Sequence, residues 1–366
     1  MEVPTKALLS ELTWCQRFME KASTLPILKH VLFEVDRQRL TLTGTDLEIG
    51  GITEVLIEQA KVQKKEKWAV AVPVCKLIKY LAKVDEPEVT LTTKDHWLTL
   101  THGAAVSRTA GMSKESFPEL PAFPAAQATL GHLSIAIDRT IFAVSTEVSR
   151  FTLDGALLDI DEDEARLIAT DGHRLSLHPL QAKGKAKLKV LIPTKGLREA
   201  GRFEDDCSFS ANDDHAFFNW GQRRIIARKV KGNFPDWERI MPKELPNHVF
   251  LPVKATLQVL DRVALYADER SHAVRFEITG ADAPGGPCKL TIKASSVEEG
   301  NAEGSIPVMT EEVTGPITIG QNAVHVKDFL SRTDQQFAGF AYRDHKSAAV
   351  FTVSSWVYVL MPMRID

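Results

Sequence analysis

The chain has 366 residues, of which 44% are hydrophobic and 25% charged, an ordinary composition for a folded globular protein. A formal net charge of −3 excludes a general attraction to nucleic acid, so such a partner needs a locally basic surface. No apolar run reaches the roughly 18 to 20 residues that cross a bilayer, and Met1-Glu2-Val3-Pro4-Thr5-Lys6 lacks the basic and apolar regions of a secretion signal.

These features predict a cytoplasmic protein with no membrane partner, long enough for two or three domains. Cys15, Cys75, Cys207 and Cys288 are scattered, without a Cys-x-x-Cys pair. Free thiols are therefore expected, not a disulfide framework or a zinc site.

In chain order, Ala7 to Lys21 carries Leu8, Leu9, Leu12, Cys15 and Met19 near one face at helical spacing. Val31 to Val35 reads as a strand, Asp36 to Arg39 as its turn, and Leu40 to Thr45 as the next strand. Val70 to Val72 then passes into a helix at Lys76 to Lys83, with Pro73 near the first turn, where a missing N–H costs nothing. Val89 to Thr92 and Trp97 to Leu100 alternate as strands.

The same half-unit returns at Val190 to Lys195, with strands at Cys207 to Ser210 and Arg224 to Arg228. It returns again at Ile317 to Gly320, with a helix at Asn322 to Leu330 and strands at Gly339 to Tyr342 and Ala349 to Val353. Val72 to Ile192 is 120 positions and Ile192 to Ile319 is 127. The opening half-unit recurs too, as helical patterns at Leu133 to Thr146 and Lys254 to Ala267. Such a period marks repeated domains. Three are expected, of about 120 residues each, joined by the Pro-rich stretches 118–124 and 241–246.

Summed over the six helical stretches, taken as 6–21, 73–83, 135–150, 193–202, 254–267 and 322–332, the charge is +8, leaving −11 for the rest of the chain. Solvated surface lysines account for any one helix. If the six line one surface, that surface neutralises phosphates without reading bases. The alternating lysines Lys183, Lys185, Lys187 and Lys189 read as a protected edge strand.

Leu167-Ile168-Ala169-Thr170-Asp171-Gly172-His173-Arg174-Leu175 reads as a strand, a tight Asp-Gly turn and a second strand. Leu40-Thr41-Leu42-Thr43-Gly44-Thr45-Asp46 is a near-copy. One reading of Asp171, His173 and Arg174 is a turn whose side chains cap backbone groups. A hydrolytic reading of Asp171 and His173 needs a nucleophile or metal partner that nothing local supplies. Phosphate-loop, dinucleotide-binding, zinc-protease and nucleophile-elbow motifs are all absent from the sequence, which favours a binding role.

Five short motifs in order carry a resemblance over essentially the whole chain. They are Thr24 to Leu28, Leu42 to Glu48, Ala169 to Leu175, Phe234-Pro235-Asp236-Trp237 and Met361-Pro362-Met363-Arg364. With the repeats, they make the chain similar to the bacterial beta sliding clamps, the processivity subunits of DNA polymerase III. The resemblance implies an α+β fold of three repeated clamp domains, 1–124, 125–246 and 247–366. Each holds two helix-plus-sheet half-units, and the chain forms half of a closed ring.

It implies a head-to-tail homodimer that encircles duplex DNA regardless of sequence, catalyses nothing, and needs no cofactor or metal. The implied partners are a replicative polymerase subunit, a clamp loader and other proteins bearing clamp-binding peptides.

The implied peptide pocket lies between the second and third domains. It comprises Leu153, Thr170, Gly172, His173, Arg174, Leu175, Pro235, Arg239, Ile240, Asn322, Val359, Leu360, Met361, Pro362 and Met363. The implied DNA contacts are Lys21, Lys76, Lys83, Arg150 and Lys195. Dimer positions match at Ser107 and Thr109, facing Leu265 and Tyr266. Three departures stand out: Ser107 and Thr109 replace apolar edge residues, His325 replaces an aromatic phenol at the pocket rim, and Ile365-Asp366 extends the end. The polar edge suggests a variant reading, a clamp-like protein that binds partners without closing stably.

Overall fold

The computed structural model describes residues 1–20, 23–37, 39–56, 67–145, 154–279, 288–296, 300–312 and 316–364. The first third runs β1 (Glu2–Pro4), α1 (Thr5–Cys15), β2 (Val31–Asp36), β3 (Arg39–Thr45), β4 (Ile49–Leu56), β5 (Lys67–Val72), α2 (Val74–Leu81), β6 (Glu88–Lys94), β7 (Trp97–His102) and β8 (Ala105–Ala110). The second runs β9 (Ala128–Gly131), α3 (Leu133–Asp138), β10 (Gly155–Asp161), β11 (Glu164–Thr170), β12 (Arg174–Gly184), β13 (Lys187–Pro193), α4 (Thr194–Ala200), β14 (Cys207–Ala211), β15 (His215–Asn219) and β16 (Arg223–Arg228). A short helix α5 (Trp237–Ile240) follows. The third runs β17 (Asn247–Pro252), α6 (Val253–Val263), β18 (Ala273–Thr279), β19 (Cys288–Ser296), β20 (Gly300–Glu312), β21 (Ile317–Asn322), α7 (Ala323–Leu330), β22 (Phe337–Tyr342), β23 (Ala349–Val353) and β24 (Trp356–Leu360).

The order is thus the same three times over: strand, helix, three strands, then strand, helix, three strands again. These residues group into two compact units, 1–131 with 198–229, and 132–197 with 230–366.

In the first unit an antiparallel sheet runs β5-β2-β3-β4-β16-β15-β14-β9. A second sheet runs β1-β6-β7-β8. Helix α1 buries Leu8, Leu12 and Cys15, spaced at i, i+4 and i+7, against β3 and β4. Small residues let it approach. A Cβ on Gly51 would stand 2.3 Å from the Phe18 ring, and one on Gly44 would stand 2.6 Å from the Cys15 carbonyl. Glu11 is buried and fully engaged. Arg223 donates to both its oxygens, at 2.9 and 2.8 Å, and the Thr53 hydroxyl donates at 2.6 Å.

In the second unit the strands run β13-β10-β11-β12-β24-β23-β22-β17-β20-β19-β18-β21, all antiparallel. Beneath α6 and α7 lies an aromatic core in which Phe329 meets Trp356 at 4.2 Å and stacks on Tyr358 at 5.1 Å. Ser176 accepts from the buried Trp356 indole at 2.8 Å and donates to the Arg139 carbonyl at 2.5 Å.

Two expectations are corrected here. The helix expected over Leu133 to Thr146 stops at Asp138, and a 3-10 turn follows at Ile141–Ala143. Thr140 leaves the helix and turns its hydroxyl back onto the Ala136 carbonyl at 2.7 Å, competing with the next helical turn. The helix expected to reach Lys21 ends at Cys15, with a 3-10 turn to Phe18. The Lys183 to Lys189 run lies at the end of β12 and the start of β13, where Lys187 pairs with Asp161 and Lys189 with Asp159.

Candidate peptide-binding site

The turn between β11 and β12 is built by its own side chains. Thr170 Oγ1 donates to the Arg174 carbonyl at 2.7 Å and accepts the Gly172 N–H at 3.1 Å. Asp171 Oδ1 accepts the N–H groups of His173 and Arg174, both at 2.9 Å. Gly172 sits at φ +88°, a conformation only glycine takes freely.

The capping reading of Asp171 therefore holds, and its near-copy repeats the wiring. Thr45 donates to the Ile49 carbonyl at 2.9 Å and accepts the Leu47 N–H at 3.0 Å. Asp46 accepts the Glu48 and Ile49 N–H groups at 2.9 and 2.8 Å. Even the next bond matches: Met361 N–H reaches the His173 carbonyl at 2.9 Å, and Arg228 N–H reaches that of Glu48 at 2.8 Å.

The copies differ at their last residue, Arg174 against Ile49. Arg174 is one-tenth exposed and uses its whole fork. Nε donates to Asp171 Oδ2 at 2.9 Å, Nη1 to Asp328 Oδ2 at 2.7 Å, and Nη2 to the Phe142 carbonyl at 2.8 Å. Burial opposes the charge, but the Tyr358 oxygen and the two carboxylates outweigh it and hold the guanidinium above its ordinary pKa. Phe142 lies under both this cation and Arg332, at 5.5 and 4.4 Å.

His325 stands one helical turn before Asp328 on α7. Burial, and then the neighbouring Arg174 charge, push its pKa down to about 4, so the ring is neutral near pH 7. Tyr358, which the sequence comparison did not single out, donates its hydroxyl to the His325 carbonyl at 3.1 Å.

Beside this polar corner lies an apolar one. Leu157, Ile168, Leu175, Leu177, Val350 and Val359 are buried together, and Phe234, Trp237, Ile240, Met241 and Leu245 pack against them half-buried. Leu175 and Val359 are direct partners in the β12–β24 pairing. A cleft of about 510 Å³ adjoins, lined by Arg239, Ile240, Met241, Leu245, Arg343 and Ala348 among others. Pro235 and Arg239 are exposed, and Arg239 is paired with Asp236 at 2.8 Å.

Leu360 is buried, Met361 is 46% exposed, and Pro362 and Met363 are half-buried. Met363 N–H bonds the Gly320 carbonyl at 2.9 Å. Asn322 caps α7, accepting the His325 N–H at 3.1 Å. The expected pocket positions all fall in the second unit, except that Leu153 lies outside the described residues. Asp328 and Phe142 bond Arg174, and Trp237 and Met241 pack on the apolar corner, although only the Phe-Pro-Asp-Trp motif hinted at any of them.

Lys76, Lys83 and Lys195 are exposed on α2, just beyond α2, and on α4, while Lys21 and Arg150 lie outside the described residues. The helical charges are not equivalent. Lys327 pairs with Asp261 at 2.5 Å, and Arg17 and Arg202 share Glu199 at 3.6 and 3.0 Å. Ser107 and Thr109 lie on β8, which pairs with β7 on one side. Leu265 and Tyr266, in the 3-10 turn after α6, are 72% and 39% exposed.

For the hydrolytic reading, Asp171 spends both oxygens on the turn and on Arg174, and His173 is exposed. No group of three or more metal-ligating side chains occurs among the described residues. No helix among them is long and apolar enough to cross a membrane.

A strand, a helix and a three-stranded run, repeated six times, define the class of clamp folds. The family models agree. The N-terminal, central and C-terminal domains of DNA polymerase III beta subunit match residues 1–121, 129–236 and 238–364. The beta sliding clamp of Pseudomonas aeruginosa is 28% identical, over 99% of both chains. A crystal structure of that organism's DNA polymerase III subunit beta superposes with a TM-score of 0.91 at 26% identity, covering 100% of both chains. Another P. aeruginosa clamp structure, bound to griselimycin, gives 0.89 at 26% identity over 100% of this chain and 99% of its own. The chain belongs to the DNA polymerase III beta subunit family, the bacterial sliding clamps, non-catalytic subunits that serve polymerase processivity.

Proposed function

We propose that two copies of this chain close head to tail into a ring that encircles duplex DNA and tethers polymerase and other partners through the pocket around Arg174. The ring is built from three domains per chain, at 1–124, 125–246 and 247–366. The pocket carries the reading. A fixed turn, a locked guanidinium and exposed Met361 surround an apolar floor that suits the large side chains of a short extended peptide. Lys76, Lys83 and Lys195 supply cations toward the DNA phosphates. Loading onto nicked circular DNA tests the ring. The protein is expected to stay on the circle and leave once the circle is cut; retention that ignores topology would sink the reading.

One observation favours a second reading. Ser107 and Thr109 put hydroxyls on the β8 edge, where they add little apolar burial to a subunit contact. In that case peptide binding survives while DNA retention fails. Light scattering over a dilution series separates the two: a mass holding at twice 40.6 kDa supports closure, and a fall toward 40.6 kDa supports the weaker contact.

A further inference from the structure

We propose that the first unit carries a second, independent docking cleft, on the outer side of β2, β3 and β4, that takes an extended, cationic and apolar segment of a partner protein. The cleft has a volume of about 620 Å³, within the range of roughly 300–1,000 Å³ typical of ligand sites. Leu32, Thr43 and Ile52 form its floor, one from each strand, and the chain segment Phe117-Pro118-Glu119-Leu120 forms its wall. Leu32 and Phe117 are buried beside Ala71, with Ile27, Ala69 and Met112 half-buried around them.

The cleft is the counterpart of the site described above, built with opposite charge. Phe117-Pro118-Glu119-Leu120 stands 117 positions before Phe234-Pro235-Asp236-Trp237. The matched turns at Thr45 and Thr170 put Leu32, Thr43 and Ile52 in the places of Leu157, Ile168 and Leu177. The cleft at 239–245 is lined by Arg239, Lys243 and Arg343 against Glu244. The cleft in the first unit is lined by Glu34, Glu115 and Glu119 against Lys114 alone, and Lys114 is closed onto Glu34 at 2.5 Å. An apolar floor with an anionic rim selects cations flanking large apolar side chains.

The same peptide does not fit both places. Ile49 replaces Arg174, and Leu120 presses on Gly50, where the second copy has Leu175: a Cβ there would stand 2.9 Å from it.

A fluorescein-labelled peptide, acetyl-Lys-Arg-Leu-Lys-Phe-Lys-amide, titrated by anisotropy against the intact protein, tests this. Saturable binding is expected, weakened at least tenfold by Glu119→Lys, an exposed position, and by Ile52→Asp with its fold verified by circular dichroism. Met361→Glu is expected to leave it in place. The proposal falls if the probe does not bind or if Glu119→Lys leaves its affinity intact. It falls equally if Met361→Glu abolishes binding, or if the peptide binds as well with Leu and Phe replaced by Ala. A change in self-association of the cleft variants with no change in peptide affinity assigns the face to a second copy and also overturns it.

Discussion

Arg174 is held by Asp171, Asp328 and the Phe142 carbonyl, and Asp328 also meets Arg332 at 3.7 Å. Arg174→Ala takes the cation from Asp171 Oδ2 and leaves Asp328 with the more distant Arg332, in a partly buried corner. Losing charge-assisted bonds of this kind costs about 2 kcal/mol, read as a drop in the urea unfolding midpoint. Lys in its place keeps the charge but loses the fork, so intermediate stability is expected. The two matched turns provide a second test. Leu47 and Gly172 occupy the same position at φ +78° and +88°. A side chain there is strained by roughly 1 kcal/mol, so Leu47→Gly is expected to stabilise and Gly172→Ala to destabilise by about that much. Nothing lies within 4 Å of a Cβ on Gly172, so the expected loss is backbone strain and not a clash. At this scale the turn was legible, because an Asp-Gly pair states its own geometry. The Arg174–Asp328 pair was not: its partners lie 154 positions apart, and only the fold brings them together.

Among the elements, the helices were visible wherever an apolar stripe repeats, as at Leu8, Leu12 and Cys15. They were overextended where a stripe continues past a competing hydroxyl, as at Thr140. Strand β24 escaped notice because Trp356 to Leu360 is apolar on both faces, so it shows no alternation. Yet β24 pairs with β12 and sets Val359 and Leu360 opposite Leu175 and Arg174.

The charge tally treated six helices alike, whereas α6 and α7 neutralise each other through Asp261 and Lys327. Lys76, Lys79 and Lys83, on and just after α2, are exposed and form no ion pair among the described residues. Each of the three changes to Ala is expected to lower the salt dependence of DNA retention by about one counterion, measured as the slope of log affinity against log salt.

Across the whole molecule, the threefold order of elements followed from spacing alone, because each strand-to-helix step recurs about 120 positions later. Stability toward acid also belongs to this scale. His178 and His325 both titrate near pH 4, burial being the main cause and Arg139 or Arg174 the next. Folded values below the ordinary 6.5 mean that the unfolded chain takes up protons first. The two histidines thus favour the folded state fully above about pH 6.5, and that contribution is lost as pH falls toward 4. The unfolding free energy from urea titration is expected to fall between pH 7 and pH 5, by at most about 1.4 kcal/mol per pH unit for each histidine. His325→Asn is expected to flatten the profile.

The β12–β24 pairing has a mechanical side. Leu175 and Val359 are ladder partners where β12 meets β24 and, at the same time, buried members of the apolar corner, and the next bond along holds Met361 to His173. Part that pairing and the apolar corner comes apart with it. Under the proposed function, a partner seated there would act as a rivet across that pairing, and its grip would also gauge whether the joint is shut.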